Sequence, residues 1–324
     1  MPVSTISCLR WLFLTLSVTL GLTTAIAANA TGTVAGTSTA MKPTQQAGSG
    51  AGAVTQVVGH HYFTTSDGVK LHYLEAGHGP DTLVFIPGWL MPAAVFEKQM
   101  QALSKQFRVL AFDPRSQGLS ELTRKAHHPK RRTLDMDEFL KAAKVGDFIL
   151  AGWSLGVLES LDYIARYHPK HLRGLILIDN SIGEGKPPGG RASNFQETMN
   201  DPVKREAYLR KFCKDLTKQP QPPELAQAVV DSALRPPANV GLELINQPYP
   251  RTYWRETVEQ LDIPVMYAVT PRLKDQADAL RKKRTAELGT VLIFEGVGHA
   301  LFVDDAATFN AAVVTFSEQA FKRP

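Results

Sequence analysis

Ser154 stands in Gly152-Trp153-Ser154-Leu155-Gly156, between an apolar run at 148–151 and a helix-like run at 157–167. That order reads as strand, abrupt turn and helix, with a serine at the corner. Glycines two residues to either side let strand and helix approach without Cβ clashes, so the hydroxyl projects above the sheet. The next amide, on Leu155, opens the helix, where unpaired N–H groups and the helix dipole favour an oxyanion. A serine hydroxyl is a poor nucleophile near neutral pH and needs a base within reach. His299 is the candidate among nine histidines, because it follows Gly296-Val297-Gly298 directly after the last apolar run at 290–294. From that position it would take the Ser154 proton and later return it to a leaving group. His60, His61, His72, His127 and His128 fall in a hairpin or a basic loop. No paired spacing on a helix suggests a metal site, and no cofactor is implied.

The elements that must position these groups follow from periodicity. Two alternating runs at 60–65 and 69–74 flank Ser66-Asp67-Gly68 and make a β-hairpin. Continuous apolar runs at 82–86, 108–112, 148–151 and 174–178 read as strands buried on both faces of a sheet. Helical segments at about 93–103 and 134–143 separate them, the second capped near Thr133 or Asp135, with the basic stretch before it as a surface loop. This alternation calls for an α/β fold, a mostly parallel sheet with helices on both faces. From about 182 to 261 the alternation stops. Pro187-Pro188-Gly189-Gly190 opens amphipathic pieces broken by Pro236, Pro237, Pro248 and Pro250, which reads as an inserted helical cap. Strands at 264–270 and 290–294, a charged helix at 274–288 and a last helix at about 306–321 complete the domain.

The 324 residues, 44% of them hydrophobic, suit one large domain with appendages. The net charge of +5 is concentrated in Arg124-Lys125, Lys130-Arg131-Arg132 and Arg281-Lys282-Lys283-Arg284. None is interleaved with aromatics, so these read as solvated surface, with no nucleic-acid partner. Arg10 precedes an uncharged apolar run at 11–27 followed by Ala28-Asn29-Ala30, which reads as a signal peptide over 1–30, cut near Ala27 or Ala30. The alternative is a retained membrane anchor, since the run approaches spanning length. Residues 31–55 are a flexible Gly/Ala/Thr/Ser leader. Cleavage implies a periplasmic or secreted protein without stable membrane insertion. It removes Cys8 and leaves Cys213 alone, so no internal disulfide supports the fold.

Over about residues 56–321 the chain resembles the α/β-hydrolase superfamily, in its capped serine carboxylesterase-like branch. Three signatures fall in the family's order: the strand-terminal Gly88-Trp89, the Gly-Trp-Ser-Leu-Gly elbow and the late Gly-x-Gly-His299. The resemblance implies an α/β-hydrolase fold and a triad of Ser154, His299 and an acid. It also implies an oxyanion hole from the amides of Trp89 and Leu155. Two departures stand out. Pro87-Gly88 replaces the usual His-Gly, and Thr270-Pro271-Arg272-Leu273 supplies no acid where the family places one, after the penultimate strand. Asp179, after the strand that follows the elbow helix, is preferred as the acid, a position some branches use; Asp275 is the alternative.

These readings lead to a serine hydrolase that cleaves a small-molecule ester or thioester through an acyl-enzyme. Trp153 is expected to line the substrate pocket with Trp89, and Leu301 and Phe302 either line it or pack. A serine at the elbow argues against branches that use an aspartate nucleophile. Lactone, amide or carbon–carbon hydrolysis and cofactor-free haloperoxidase or perhydrolase chemistry are alternatives on the same fold. A non-catalytic binding protein is the alternative of another class, and a surface protein held by an uncut signal is a third. The sequence sets no oligomeric state.

Overall fold

A computed structural model describes residues 58–186 and 192–322. The signal at 1–30, the leader at 31–55 and the break at 187–190 lie outside the described residues.

The hairpin forms as β1 (Gly59–Thr64) and β2 (Lys70–Ala76), paired antiparallel about Asp67-Gly68. Then follow β3 (Thr82–Ile86), a short 3-10 turn at Ala93–Phe96, α1 (Glu97–Leu103), β4 (Arg108–Asp113), α2 (Pro129–Ala142), β5 (Phe148–Trp153), α3 (Leu155–Tyr167) and β6 (Leu172–Ile178). Five helices come next: α4 (Phe195–Asn200), α5 (Pro202–Asp215), α6 (Pro223–Leu234), α7 (Ala238–Ile245) and α8 (Arg251–Glu259). The alternation resumes with β7 (Val265–Val269), a 3-10 turn at Pro271–Leu273, α9 (Lys274–Lys283), β8 (Gly289–Ile293), α10 (Leu301–Asp304) and α11 (Ala306–Phe321). The sheet order is β1-β2-β4-β3-β5-β6-β7-β8, with β2 antiparallel to both neighbours and every later pair parallel.

The apolar strands divide their side chains between two cores because successive residues point to opposite faces. Leu83 and Phe85 of β3 join the core beneath α1 and α11, while Val84 and Ile86 join the one beneath α2, α3 and α9. After β3 the chain turns outward to β4, and after β5 it turns the other way to β6. The ends of β3 and β5 therefore flank the point where a doubly wound sheet opens a crevice at its carboxyl edge.

One sequence expectation changes. The stretch ending at Arg132 is not a surface loop, because α2 begins at Pro129 with His128 as its cap. Arg131 and Arg132 are buried there beside carboxylates: Arg131 pairs with Asp135 and Glu138 of its own helix, and Arg132 with Glu159 of α3. Nor do all five helices between β6 and β7 behave alike. Residues of α4 to α7 extend the α1/α11 core, whereas Trp254 and Val258 of α8 enter the opposite core beside α3. Burial of those two side chains packs α8 against α3.

Candidate active site

The elbow follows from contacts that only glycine permits. A Cβ on Gly152 would lie 2.3 Å from the Gly156 carbonyl oxygen, and one on Gly156 would lie 2.4 Å from that of Ile86. Both are far inside van der Waals contact, so β5, α3 and the end of β3 close on one another without side chains between them. Ser154 at the corner takes φ 55° and ψ −119°, a strained conformation for a residue with a Cβ. Its amide donates to Ile178 O at 2.9 Å, and its carbonyl accepts Asn180 Nδ2 at 2.7 Å. These bonds tie the strained residue to β6. Trp153 and Leu155 on either side are buried, and Ser154 alone of the three is partly open.

Asp179 is the residue after β6, at φ 46° and almost fully buried. Its Oδ2 receives His299 Nδ1 at 2.6 Å, and its Oδ1 receives both the amide and the hydroxyl of Thr270 at 2.8 Å. Arg272 Nη2 adds a positive charge 3.6 Å from Oδ2. Burial alone would raise this carboxyl, but the His299 hydrogen bond and charge, with the Thr270 bonds, outweigh it and hold the pKa below the ordinary 3.8. An ionised carboxylate only accepts, so the His299 proton sits on Nδ1 and Nε2 is left as the basic nitrogen.

Thr270 follows β7, the strand end where an acid was sought in the sequence. Its place in the site is as a donor that orients the neighbouring strand's acid. Asp275 lies in the first turn of α9 against Gly185, so the structure brings Asp179 and not Asp275 to His299.

Trp153 stands next to Ser154. It is fully buried, packs edge-on to Phe302 and donates Nε1 to the His299 carbonyl at 3.0 Å. Its hydrogen bond ties the elbow to the His299 loop. Leu301 and Phe302 are buried in the same way. Trp89 is also nearly buried; its indole donates to Gly241 O of α7 at 2.8 Å and packs against Phe195 and Phe212.

The Trp89 and Leu155 amides sit where the chain leaves β3 and where α3 begins. As the first helical residue, Leu155 has no intrahelical acceptor for its N–H. The Trp89 loop is braced by a residue the sequence reading missed. Gln117, fully buried, accepts Leu90 N at 3.1 Å and donates Nε2 to Gly88 O and Met91 O, each at 3.1 Å. The available signal was position: an amide side chain just beyond β4, beside the strand that carries the loop. Pro87 precedes this brace without interrupting it. Beside His299, Ala300 and Val303 border a cavity of about 440 Å³ that continues under α5 and α6. Among the described residues no cluster of His, Cys, Asp and Glu suits a metal ion, and no helix is long and apolar enough to cross a membrane.

Comparison with known proteins shows the family. Residues 83–312 match the model of the alpha/beta hydrolase family. A pimeloyl-[acyl-carrier protein] methyl ester esterase of Vibrio atlanticus is 26% identical over 77% of this chain and 98% of its own length. An AB hydrolase superfamily protein, YisY, of Bacillus subtilis is 23% identical over 79% of this chain and 98% of its own. Among solved structures, a putative aryl esterase from Burkholderia cenocepacia superposes with a TM-score of 0.70 at 20% identity, covering 82% of this chain and 100% of that one.

Proposed function

Because the chain belongs to the alpha/beta hydrolase family, we propose that it is a serine hydrolase that cleaves a carboxylic ester through an acyl-enzyme. Ser154 Oγ attacks the acyl carbon while His299 Nε2 takes its proton. The negative charge that develops on the carbonyl oxygen faces the amides of Trp89 and Leu155. Collapse of the tetrahedral intermediate breaks the bond to the alcohol oxygen, which leaves with the proton from His299. Water then gives a proton to His299 and attacks the acyl carbon, and the acid departs as Ser154 regains its proton. Asp179 keeps the imidazole in the required tautomer and stabilises its charged form.

The observation that carries this reading is the 2.6 Å bond between Asp179 and His299, where the next residue, Asn180, donates to the carbonyl of Ser154, held at φ 55°. The relatives named for the methyl ester of a carrier-bound acid make methyl esters of aliphatic acids the first substrates to try. A panel of methyl and p-nitrophenyl esters of graded acyl length, given to wild type and Ser154→Ala, tests it. Turnover that survives the substitution contradicts the mechanism.

Export belongs to the same reading. Its support is the sequence of the first thirty residues, with Arg10, the apolar run and Ala28-Asn29-Ala30. N-terminal sequencing of exported material tests it, with a new terminus near residue 28 or 31 expected and an intact Met1 as the contrary result.

A further inference from the structure

The loop that carries His299 is joined to the inserted helices through a single carboxylate. Asp304 Oδ2 accepts the Gly298 amide at 2.7 Å and the Lys218 amide at 2.8 Å, while Oδ1 accepts the Gln219 amide at 2.9 Å. Gly298 is the residue before His299, and Lys218 and Gln219 follow α5. The two segments also meet directly: Ala300 N donates to Leu216 O at 2.8 Å, and a Cβ on Gly298 would lie 2.5 Å from that same oxygen. His299 is thus flanked on both sides by residues whose amides are bound either to the segment at 216–219 or to the carboxylate that holds it.

This junction also borders a half-open cavity. Leu216 and Lys218 from the inserted segment meet Ala300 and Val303 from the His299 side around the 440 Å³ space, where Val95 and Val229 add to an apolar wall and Arg210, Lys214 and Gln221 to a polar one. Its apolar wall, which begins at Ala300 one residue after His299, suits an aliphatic chain of the ester.

We propose that Asp304 is a positioning residue of the reaction: it fixes the His299 loop and the wall of the chain-binding cavity in one geometry. The inference rests on the ester-hydrolase reading above. Three backbone donors converge on two carboxylate oxygens. An asparagine at this position has one acceptor oxygen and turns an N–H₂ toward a donor, so D304N loses either the Gln219 bond or the paired bonds of Gly298 and Lys218. Glutamate keeps charge and both acceptors but shifts them by one methylene.

The test compares wild type, D304N and D304E on p-nitrophenyl esters from acetate to octanoate, with active enzyme counted by fluorophosphonate titration and thermal midpoints recorded. D304N is expected to lose roughly 10- to 100-fold in kcat per labelled site, as misplacement of a reacting group does, and its KM is expected to rise with chain length relative to wild type. D304E is expected to fall between the two. A merely structural role lowers the thermal midpoint or the fraction labelled and leaves kcat per labelled site and the chain-length profile unchanged; that result overturns the proposal. If D304N cannot be isolated folded, D304E carries the test alone, and wild-type values in it overturn the proposal. Wild type inactive on every ester removes the underlying reading. Activity lost in Ser154→Ala but normal in D304N removes only this inference.

Discussion

Asp179 and His299 meet at 2.6 Å although 120 residues separate them in sequence, and the aspartate's other oxygen is held by Thr270. The carboxylate is therefore fixed from the β7 side before it touches the imidazole. Asn in its place presents either an amide N–H₂ to a ring N–H or the wrong tautomer demand on His299. Asp179→Asn is expected to lower kcat on the order of 10,000-fold, the effect of the same change in other triads, with Asp275→Asn near wild type. Steady-state ester kinetics on both variants decide the matter; the reverse pattern would move the acid to Asp275.

Acid stability follows from the same carboxylate. The folded pKa of Asp179 is depressed below the 3.8 of a free aspartate, since its bonds to His299 and Thr270 outweigh burial. A depressed pKa contributes stability that is fully present above the unfolded value and is lost as pH falls through the folded one. The stability difference between wild type and Asp179→Asn should accordingly be constant from pH 5 to 6 and shrink below 3.8. Urea titrations across that range measure it, and a difference that stays flat to pH 2 contradicts the assignment of charge.

The sheet was legible because its central strands are unbroken apolar runs, and the elbow because its two glycines bracket a serine between a strand and a helix. The partner of His299 was only half legible. Asp179 and Asp275 both stand near strand ends, and which one meets the imidazole depends on β6 and β7 being neighbours, a matter of sheet order. Arg131 and Arg132 misled because charge alone reads as surface, whereas their burial depends on Asp135, Glu138 and Glu159. The direction of the Trp153 indole was not legible either: it turns toward the His299 carbonyl and the Phe302 ring.

Gln117 should matter to catalysis without touching substrate. Its amide fixes Leu90 N, Gly88 O and Met91 O around the Trp89 amide. Gln117→Glu sets a carboxylate against two carbonyl oxygens and is expected to cost roughly 10- to 100-fold in kcat through displacement of the oxyanion donor. Inhibition by an alkylboronic acid, which mimics the tetrahedral intermediate, should weaken in step. Unchanged boronate affinity with lowered kcat would place the defect elsewhere.

Gly152 and Gly146 make a controlled pair for the elbow. A Cβ on Gly152 meets the Gly156 carbonyl oxygen at 2.3 Å, whereas one on Gly146 meets nothing within 4 Å. Gly152→Ala is expected to destabilise by about 1–3 kcal/mol or more, as overpacking does. Gly146→Ala should stay within about 0.5 kcal/mol of wild type. Denaturant midpoints compare the two, and equal midpoints would mean the strand and helix do not close as tightly as described.

The central claim is that Ser154 is a nucleophile activated by His299, and covalent labelling tests it most directly. Intact-mass measurement after exposure to a fluorophosphonate should show one adduct per chain, mapped to Ser154 by peptide sequencing. The adduct should be absent from Ser154→Ala and formed far more slowly by His299→Ala. A wild-type protein that takes up no label, or takes it up equally after Ser154→Ala, contradicts the account.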